Sequence, residues 1–370
     1  MPDSKSHKTT ASHSADLDLL RSAVLSAGKI ALQGFYASDV DVWDKEENHP
    51  VTQTDIDVND HLNHVLMTAR PTYGWLSEET KDDDSRHDCT RSFVVDPIDG
   101  TRAFIDRTPN FAVSVAIIEK GVSVAAALYN PLKDELYTAI KGGGAFLNDN
   151  PISVSSCHEL QNCHMIGYPR KFRRLDWPDM NVSVINSMAY RICLVASGQA
   201  DAAVAFTPKS DWDLAAAALI VEEANGIITT IDNKPIRYDD ETTSNLGVIC
   251  AGTTLHALIV ERIKPLMDAF YESDEKARDF SHLGTRPEDR QEKKRMQLLH
   301  LVIGGELVDP MKTEFKDLTA IDFVGAYPNY ETARDAWKSA AQRTVDNAHM
   351  RYFVLHAHEL IDPDKDGFIG

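Results

Sequence analysis

Apolar residues recur at helical spacing over residues 17–35, Leu20, Val24, Ile30 and Ala31 among them, and predict an amphipathic helix. A short extended piece at 51–55 opens a second helix, predicted to run to about Thr68. Residues 73–79 read as a strand ending in Glu78 and Glu79, with a charged loop over 81–91. Phe93, Val94 and Val95 form an apolar, β-prone run. Stretches 111–118 and 122–129 alternate and predict a β-hairpin turned at Lys120-Gly121. The run Gly142-Gly143-Gly144 reads as a turn between strands, since it lacks the Lys-Ser/Thr that a P-loop requires.

From Ile152 the pattern restarts. Residues 188–198 are helical and 202–206 strand-like. Asp211-Trp212-Asp213 opens a helix of small residues over 214–224, ended by Gly226. A strand at 248–251 and a helix at 255–271 follow. Such alternation implies sheets covered by helices, in two halves, 17–150 and 151–271. Residues 272–296 are densely charged with little periodicity and read as a linker, with an exposed helix as the alternative. Beyond it, strands at 298–303, 322–326 and 351–356 and a helix at 330–347 make a separate small α+β unit, 297–362, with a tail at 363–370. The polar start, residues 1–16, lacks the apolar stretch of a signal peptide and is expected to be a disordered lead-in.

At 370 residues, two or three domains are expected, and 43% hydrophobic residues suffice for real cores. No run approaches the length of a membrane span. The net charge of -19 argues against a nucleic-acid polymer or an anionic membrane surface as partner. It leaves room for a phosphate ester, because bound metal ions invert the local sign. The five cysteines are odd in number and include no Cys-x-x-Cys pair, so zinc or a disulfide framework is not expected and a reducing cytoplasm fits best.

The chemistry concentrates at Asp96-Pro97-Ile98-Asp99-Gly100-Thr101. Two carboxylates stand three residues apart on a backbone stiffened by Pro97, and Gly100 permits close approach of a ligand. A helix starting there would leave N–H groups free to cradle a phosphate. Carboxylates beside a phosphate cradle make electrostatic sense only with cations between them, which points to Mg²⁺-assisted phosphoryl transfer. The competing reading is a strand-end turn whose aspartates cap the next helix. Asp55 has a bland reading too, as an N-terminal charge on its helix.

Glu78-Glu79, residues 96–101, and Trp212-Asp213 followed by small residues and Glu223-Ala224-Asn225-Gly226 together resemble the inositol monophosphatase superfamily over residues 17–271. The resemblance implies a layered α/β/α/β/α sandwich of two halves and a Mg²⁺-dependent, typically lithium-sensitive phosphomonoesterase. It implies that Glu78, Asp96 and the carbonyl of Ile98 hold one Mg²⁺, that Asp96, Asp99 and Asp213 hold a second, and that Glu78 binds a weaker third. Asp55 and Thr101 would position and help deprotonate the water on the first ion, the second ion would stabilise the leaving alkoxide with Asp99 near its proton-bearing water, and the Gly100 and Thr101 amides would grip the phosphate. Glu79 could exchange roles with Glu78, and Asp211 could be a cap or a ligand.

For the substrate, residues 206–211 lack the glutamate usual in inositol phosphatases, and Pro208-x-Ser210-Asp211-Trp212-Asp213 looks more like bacterial 3′(2′),5′-bisphosphate nucleotidases, as does 187–198. Ser187 and Lys209 are candidate substrate contacts, with Arg170 to Arg174 as either a second-phosphate site or a solvated loop. Inositol 1-phosphate and histidinol phosphate are the alternative substrates, and a regulatory or binding protein on a phosphatase core is the non-enzyme alternative. Expected partners are a small phosphorylated substrate and, as an open option, a second copy in a homodimer. Residues 297–362 resemble a small bacterial domain of unknown function. There His356 and His358 could share a strand face, with structural histidines the commoner case. Asp362-x-Asp364-x-Asp366-Gly367 copies the start of an EF-hand loop but lacks room for its twelfth-position glutamate, and reads as a charged tail.

Overall fold

Helix α1 spans Ser4–Tyr36, well ahead of the predicted start. In this computed structural model the described residues are 4–37, 42–44, 50–172, 175–238, 242–272, 300–308, 315–327, 330–344 and 350–356. The expected lead-in is thus helical from Ser4 onward rather than disordered. No Gly or Pro interrupts the chain between Ser4 and Ala27. Asp16 is buried, and its carboxylate accepts from Arg70 Nε (2.9 Å), the Tyr73 hydroxyl (3.0 Å) and Arg91 Nη1 (2.8 Å). Tertiary pairing therefore anchors a segment whose polar composition suggested none.

The elements fall into two units, Met1–Thr285 and Arg286–Gly370. In the first, β1 (Val42–Asp44) pairs antiparallel with β2 (Pro50–Thr52), which leads into α2 (Gln53–Ala69). A seven-stranded sheet follows in the order β3 (Gly74–Ser77), β4 (Arg91–Asp99), β5 (Ala112–Glu119), β6 (Val122–Asn130), β7 (Glu135–Ile140), β8 (Gly144–Leu147) and β9 (Asn150–Pro151). Only β3 and β4 run parallel within it. The β5–β6 turn has Lys120 at φ 53° and Gly121 at φ 75°, the paired left-handed residues that a tight hairpin favours.

Strand parity sorts the sheet into two faces. Phe93, Val95, Val113 and Val115 pack on Leu20, Val24, Val58 and Leu62 of α1 and α2. Val94, Ala116 and Ala126 face the opposite way, onto α5 (Met188–Ala196) and α6 (Asp211–Glu223). These two helices are buried nearly all round, as a helix layer between two sheets must be. Beyond them lies a five-stranded sheet in the order β11 (Asn181–Ser183), β10 (His164–Ile166), β12 (Ala202–Ala205), β16 (Val248–Gly252), β14 (Gly226–Thr229). Its outer face carries α7 (Thr253–Glu272), with Leu255, Ile259 and Ile263 against Met165, Val204 and Ile249. A two-stranded pair, β13 (Lys209–Ser210) with β15 (Ser244–Asn245), lies at the start of α6, and α3 (Thr101–Ile105) and α4 (Pro169–Phe172) are short. The first unit is thus the expected α/β/α/β/α sandwich. Among the described residues no helix is long and apolar enough to cross a membrane.

The second unit has a three-stranded antiparallel sheet, β18 (Asp322–Tyr327), β17 (His300–Glu306), β19 (Met350–His356), with the helix Tyr330–Arg343. Val302, Ala333, Ala340 and Tyr352 are buried, and Trp337 Nε1 donates to the Tyr352 carbonyl at 2.7 Å. His356 ends β19, while His358, most of the expected linker, Arg173, Arg174 and the EF-hand-like tail lie outside the described residues.

Candidate active site

Strand β4 runs through the sheet between β3 and β5 and ends in the motif. Opposite β5, Asp96 pairs with Ser114 but Asp99 with Ala112, so three steps on β4 match two on its partner. Residues three apart on a regular strand point to opposite faces. The extra residue, at Pro97-Ile98 where no N–H is needed from proline, reverses that parity. Asp96 and Asp99 consequently converge, and with Asp213 from the first turn of α6 they bring one carboxylate oxygen each within 4.8 Å of one another.

Glu78 follows β3, its amide donating to the Val95 carbonyl (3.2 Å) next to Asp96 in the parallel ladder. Burial pushes the Asp96 carboxyl well above its ordinary value, and Glu78, Asp99, Asp213 and Asp55 add to that in decreasing order. Asp96 Oδ1 is buried with no hydrogen-bond partner among the described residues. A buried carboxylate oxygen without a donor, among other carboxylates, is suited to a cation, and an all-oxygen ligand set favours Mg²⁺. The residues present therefore fit such an ion.

Asp99 is bound from a second side. Its oxygens accept from the Met188 (2.9 Å), Ala189 (2.7 Å) and Tyr190 (3.3 Å) amides and from the Ser187 hydroxyl. It thus caps α5, a helix 89 residues away, rather than the helix that follows it. Burial and Asp213 lift it to about 6, against the pull of Ser187 and the α5 amides. Asp213 is raised by burial and held back by Lys209, the Ser210 amide and Arg191. Ser210 is the N-cap of α6, its amide donating to Asp213 Oδ2 at 2.8 Å. Asp211 is instead buried and accepts from Asn245 Nδ2 at 2.8 Å.

Asp55 lies 1% exposed in the first turn of α2, in a capping box with Thr52. Its other oxygen accepts from the Thr101 hydroxyl at 3.1 Å. Thr101 Oγ1 is also 3.2 Å from the Ile98 carbonyl. Gly100, at φ 97°, is the N-cap of α3, and a Cβ there would meet the Asn110 carbonyl and Ser187 Cβ at 3.0 Å. Ser187, expected to touch substrate, is fully buried with its hydroxyl on Asp99. Lys209 is half-buried on β13, and Arg170 is exposed on α4. Arg191 was not singled out by the sequence, although a lone base in the apolar run 188–196 was a signal available there.

Residues 15–268 match the inositol monophosphatase family, and residues 298–357 match a domain of unknown function, DUF4170. An inositol-1-monophosphatase of Mesorhizobium japonicum is 31% identical over 272 residues, covering 69% of this chain and 98% of its own. A histidinol-phosphatase of Chlorobaculum parvum is 32% identical over 221 residues, covering 57% and 84% respectively. The crystal structure of the extragenic suppressor protein suhB from Bartonella henselae superposes with a TM-score of 0.60 at 27% identity, covering 68% of this chain and 98% of that one.

Proposed function

The chain belongs to the inositol monophosphatase family, and from that premise we propose a Mg²⁺-dependent phosphomonoesterase that prefers a 3′(2′),5′-bisphosphate nucleotide. Members of this family hydrolyse phosphomonoesters, and the chain is an enzyme of that kind. The observation that carries the proposal is the convergence of Asp96, Asp99 and Asp213, with an Asp96 oxygen that no described residue satisfies.

Glu78, Asp96 and the Ile98 carbonyl would hold one ion, Asp96, Asp99 and Asp213 a second, and Glu78 would also serve a weaker third. When bound, the ions supply neutralisation of the phosphoryl charge and stabilisation of the leaving oxygen. The Asp55–Thr101 pair would orient the attacking water and draw off its proton, the Thr101 hydroxyl being already held at 3.1 Å from Asp55. The Gly100 and Thr101 amides would grip the phosphate, at a position where only glycine fits without strain. Asp99, anchored on α5, would keep its orientation as the leaving group takes a proton. Sensitivity to lithium and a cytoplasmic location belong to the same proposal, the latter supported by five cysteines without a disulfide.

Residues 206–211 support the bisphosphate preference, since they offer Lys209 where a hydroxyl-binding acid would favour inositol. Inositol 1-phosphate is the second reading, favoured by the names of the Mesorhizobium and Rhizobium meliloti relatives. Phosphate release with and without Mg²⁺, from adenosine 3′,5′-bisphosphate, inositol 1-phosphate and histidinol phosphate, separates them. The highest kcat/KM is expected on the first. A higher value on inositol 1-phosphate would replace the substrate, and no Mg²⁺-dependent release from any phosphomonoester would remove the function.

A further inference from the structure

Helix α5 carries a single basic side chain and buries it: Arg191 is 3% exposed. It follows Ser187 by four residues, so it projects from the helix face that meets Asp99. Its guanidinium lies over the Tyr168 ring, 5.4 Å from the centroid, and Tyr168 is itself 47% exposed. Nη2 makes a long 3.5 Å contact with the Asn186 carbonyl, and Nε has no hydrogen-bond partner among the described residues. It stands one helical turn past Ser187, whose hydroxyl is on Asp99; burial works against its charge, and Tyr168, Asp99 and Asp213 work in favour of it.

A guanidinium has five N–H donors and stays charged. Burying it with Nε unspent is costly unless an acceptor arrives. The nearby carboxylates are poor candidates. Asp99 is occupied by three α5 amides and the Ser187 hydroxyl, and Asp213 accepts from the Ser210 amide. A neutral hydroxyl would leave the charge uncompensated, whereas a phosphate matches the fork of donors in both geometry and sign.

We propose that Arg191 is a specificity-determining residue that receives a second phosphate on the substrate, one sugar away from the phosphate being hydrolysed. The inference rests on the phosphomonoesterase function proposed above.

Steady-state kinetics of the full chain on adenosine 3′,5′-bisphosphate and adenosine 3′-monophosphate test it, because the pair differs only in the second phosphate. Wild type should favour the bisphosphate in kcat/KM. Arg191→Met keeps the length and apolar packing, and should collapse that preference by about 10- to 100-fold, the factor for a hydrogen bond to a charged group. The loss should fall on KM for the bisphosphate, with Arg191→Lys recovering part of it. Thermal melts confirm that each variant is folded. If folded Arg191→Met keeps the wild-type ratio, or if wild type shows no preference, Arg191 does not read a second phosphate, while the phosphatase function stands. Absence of Mg²⁺-dependent release from both nucleotides and from inositol 1-phosphate would instead remove the function and the inference together.

Discussion

Asp96 lies among other carboxylates, and one of its oxygens has no donor among the described residues. Its proposed place between two ions means that Asp96→Asn removes charge where it is most needed. Turnover should fall about 10³-fold or more, as for loss of a principal electrostatic stabiliser, with weaker Mg²⁺ binding by calorimetry. A variant with wild-type turnover would exclude the bridging role. Thr101 differs in that its hydroxyl links Asp55 to the Ile98 carbonyl without carrying charge. Thr101→Ala should lower kcat about 10²-fold while Mg²⁺ affinity is retained, the pattern of a lost positioning or proton-transfer contact. Equal losses in kcat and Mg²⁺ affinity would show instead that Thr101 shapes the ion site.

Individual elements are held by polar anchors as much as by apolar faces. The early part of α1 is tied to the sheet through Asp16, whose carboxylate collects Arg70, Tyr73 and Arg91. Arg91 also pairs with Glu119 at 2.6 Å. Asp16→Ala would leave the half-buried Arg91 short of a partner and should cost about 3 kcal/mol, read as a lower midpoint in urea with an unchanged slope. An unchanged midpoint would mean that α1 is held by Leu20, Val24 and Ala27 alone. Helix α5 shows the same logic at its N-terminus, where Asp99 and Ser187 satisfy amides that a helix leaves open. That link sets the approach of the second half to the motif, and places Arg191 one turn further along.

For the whole molecule, the carboxylate cluster couples stability to pH and metal. Without metal, Asp99 is raised to about 6 by burial and Asp213, and Asp96 and Asp213 are also raised. Raised folded-state values mean that the folded chain binds more protons than the unfolded chain between about pH 4 and the folded pKa. The stabilisation is therefore complete below about pH 4 and lost as pH rises through about 6. In EDTA, the melting temperature contributed by this cluster should fall between pH 5 and pH 7, by several degrees for about 3 kcal/mol. Saturating Mg²⁺ at pH 7 should restore it, since a ligand at 100-fold over its Kd adds about 2.7 kcal/mol. A melting temperature in EDTA that is flat over this range, with no Mg²⁺ effect at pH 7, would show that the cluster does not bind the ion. Modularity is the other prediction at this scale. Every residue proposed for chemistry lies in Met1–Thr285, which carries its own three clusters of buried apolar residues. A chain truncated after Thr285 should fold and keep Mg²⁺-dependent phosphatase activity. A soluble, folded, inactive product would show that the two units are functionally coupled.

Local pattern alone sufficed for much of this protein. An apolar run announced β4, alternating stretches announced β5 and β6, a Lys-Gly pair announced the hairpin turn, and the order of acidic motifs carried the family resemblance that implied the α/β/α/β/α sandwich. Such features arise from neighbours in the chain, so the chain records them. The bulge at Pro97-Ile98 that brings Asp96 and Asp99 together, the Asp55–Thr101 hydrogen bond, the capping of α5 by Asp99, the anchoring of α1 by Asp16 and the burial of Arg191 were decided only by tertiary structure. Each joins groups from separate elements or turns on strand pairing, and whether a charged side chain is buried depends on partners that local periodicity does not encode.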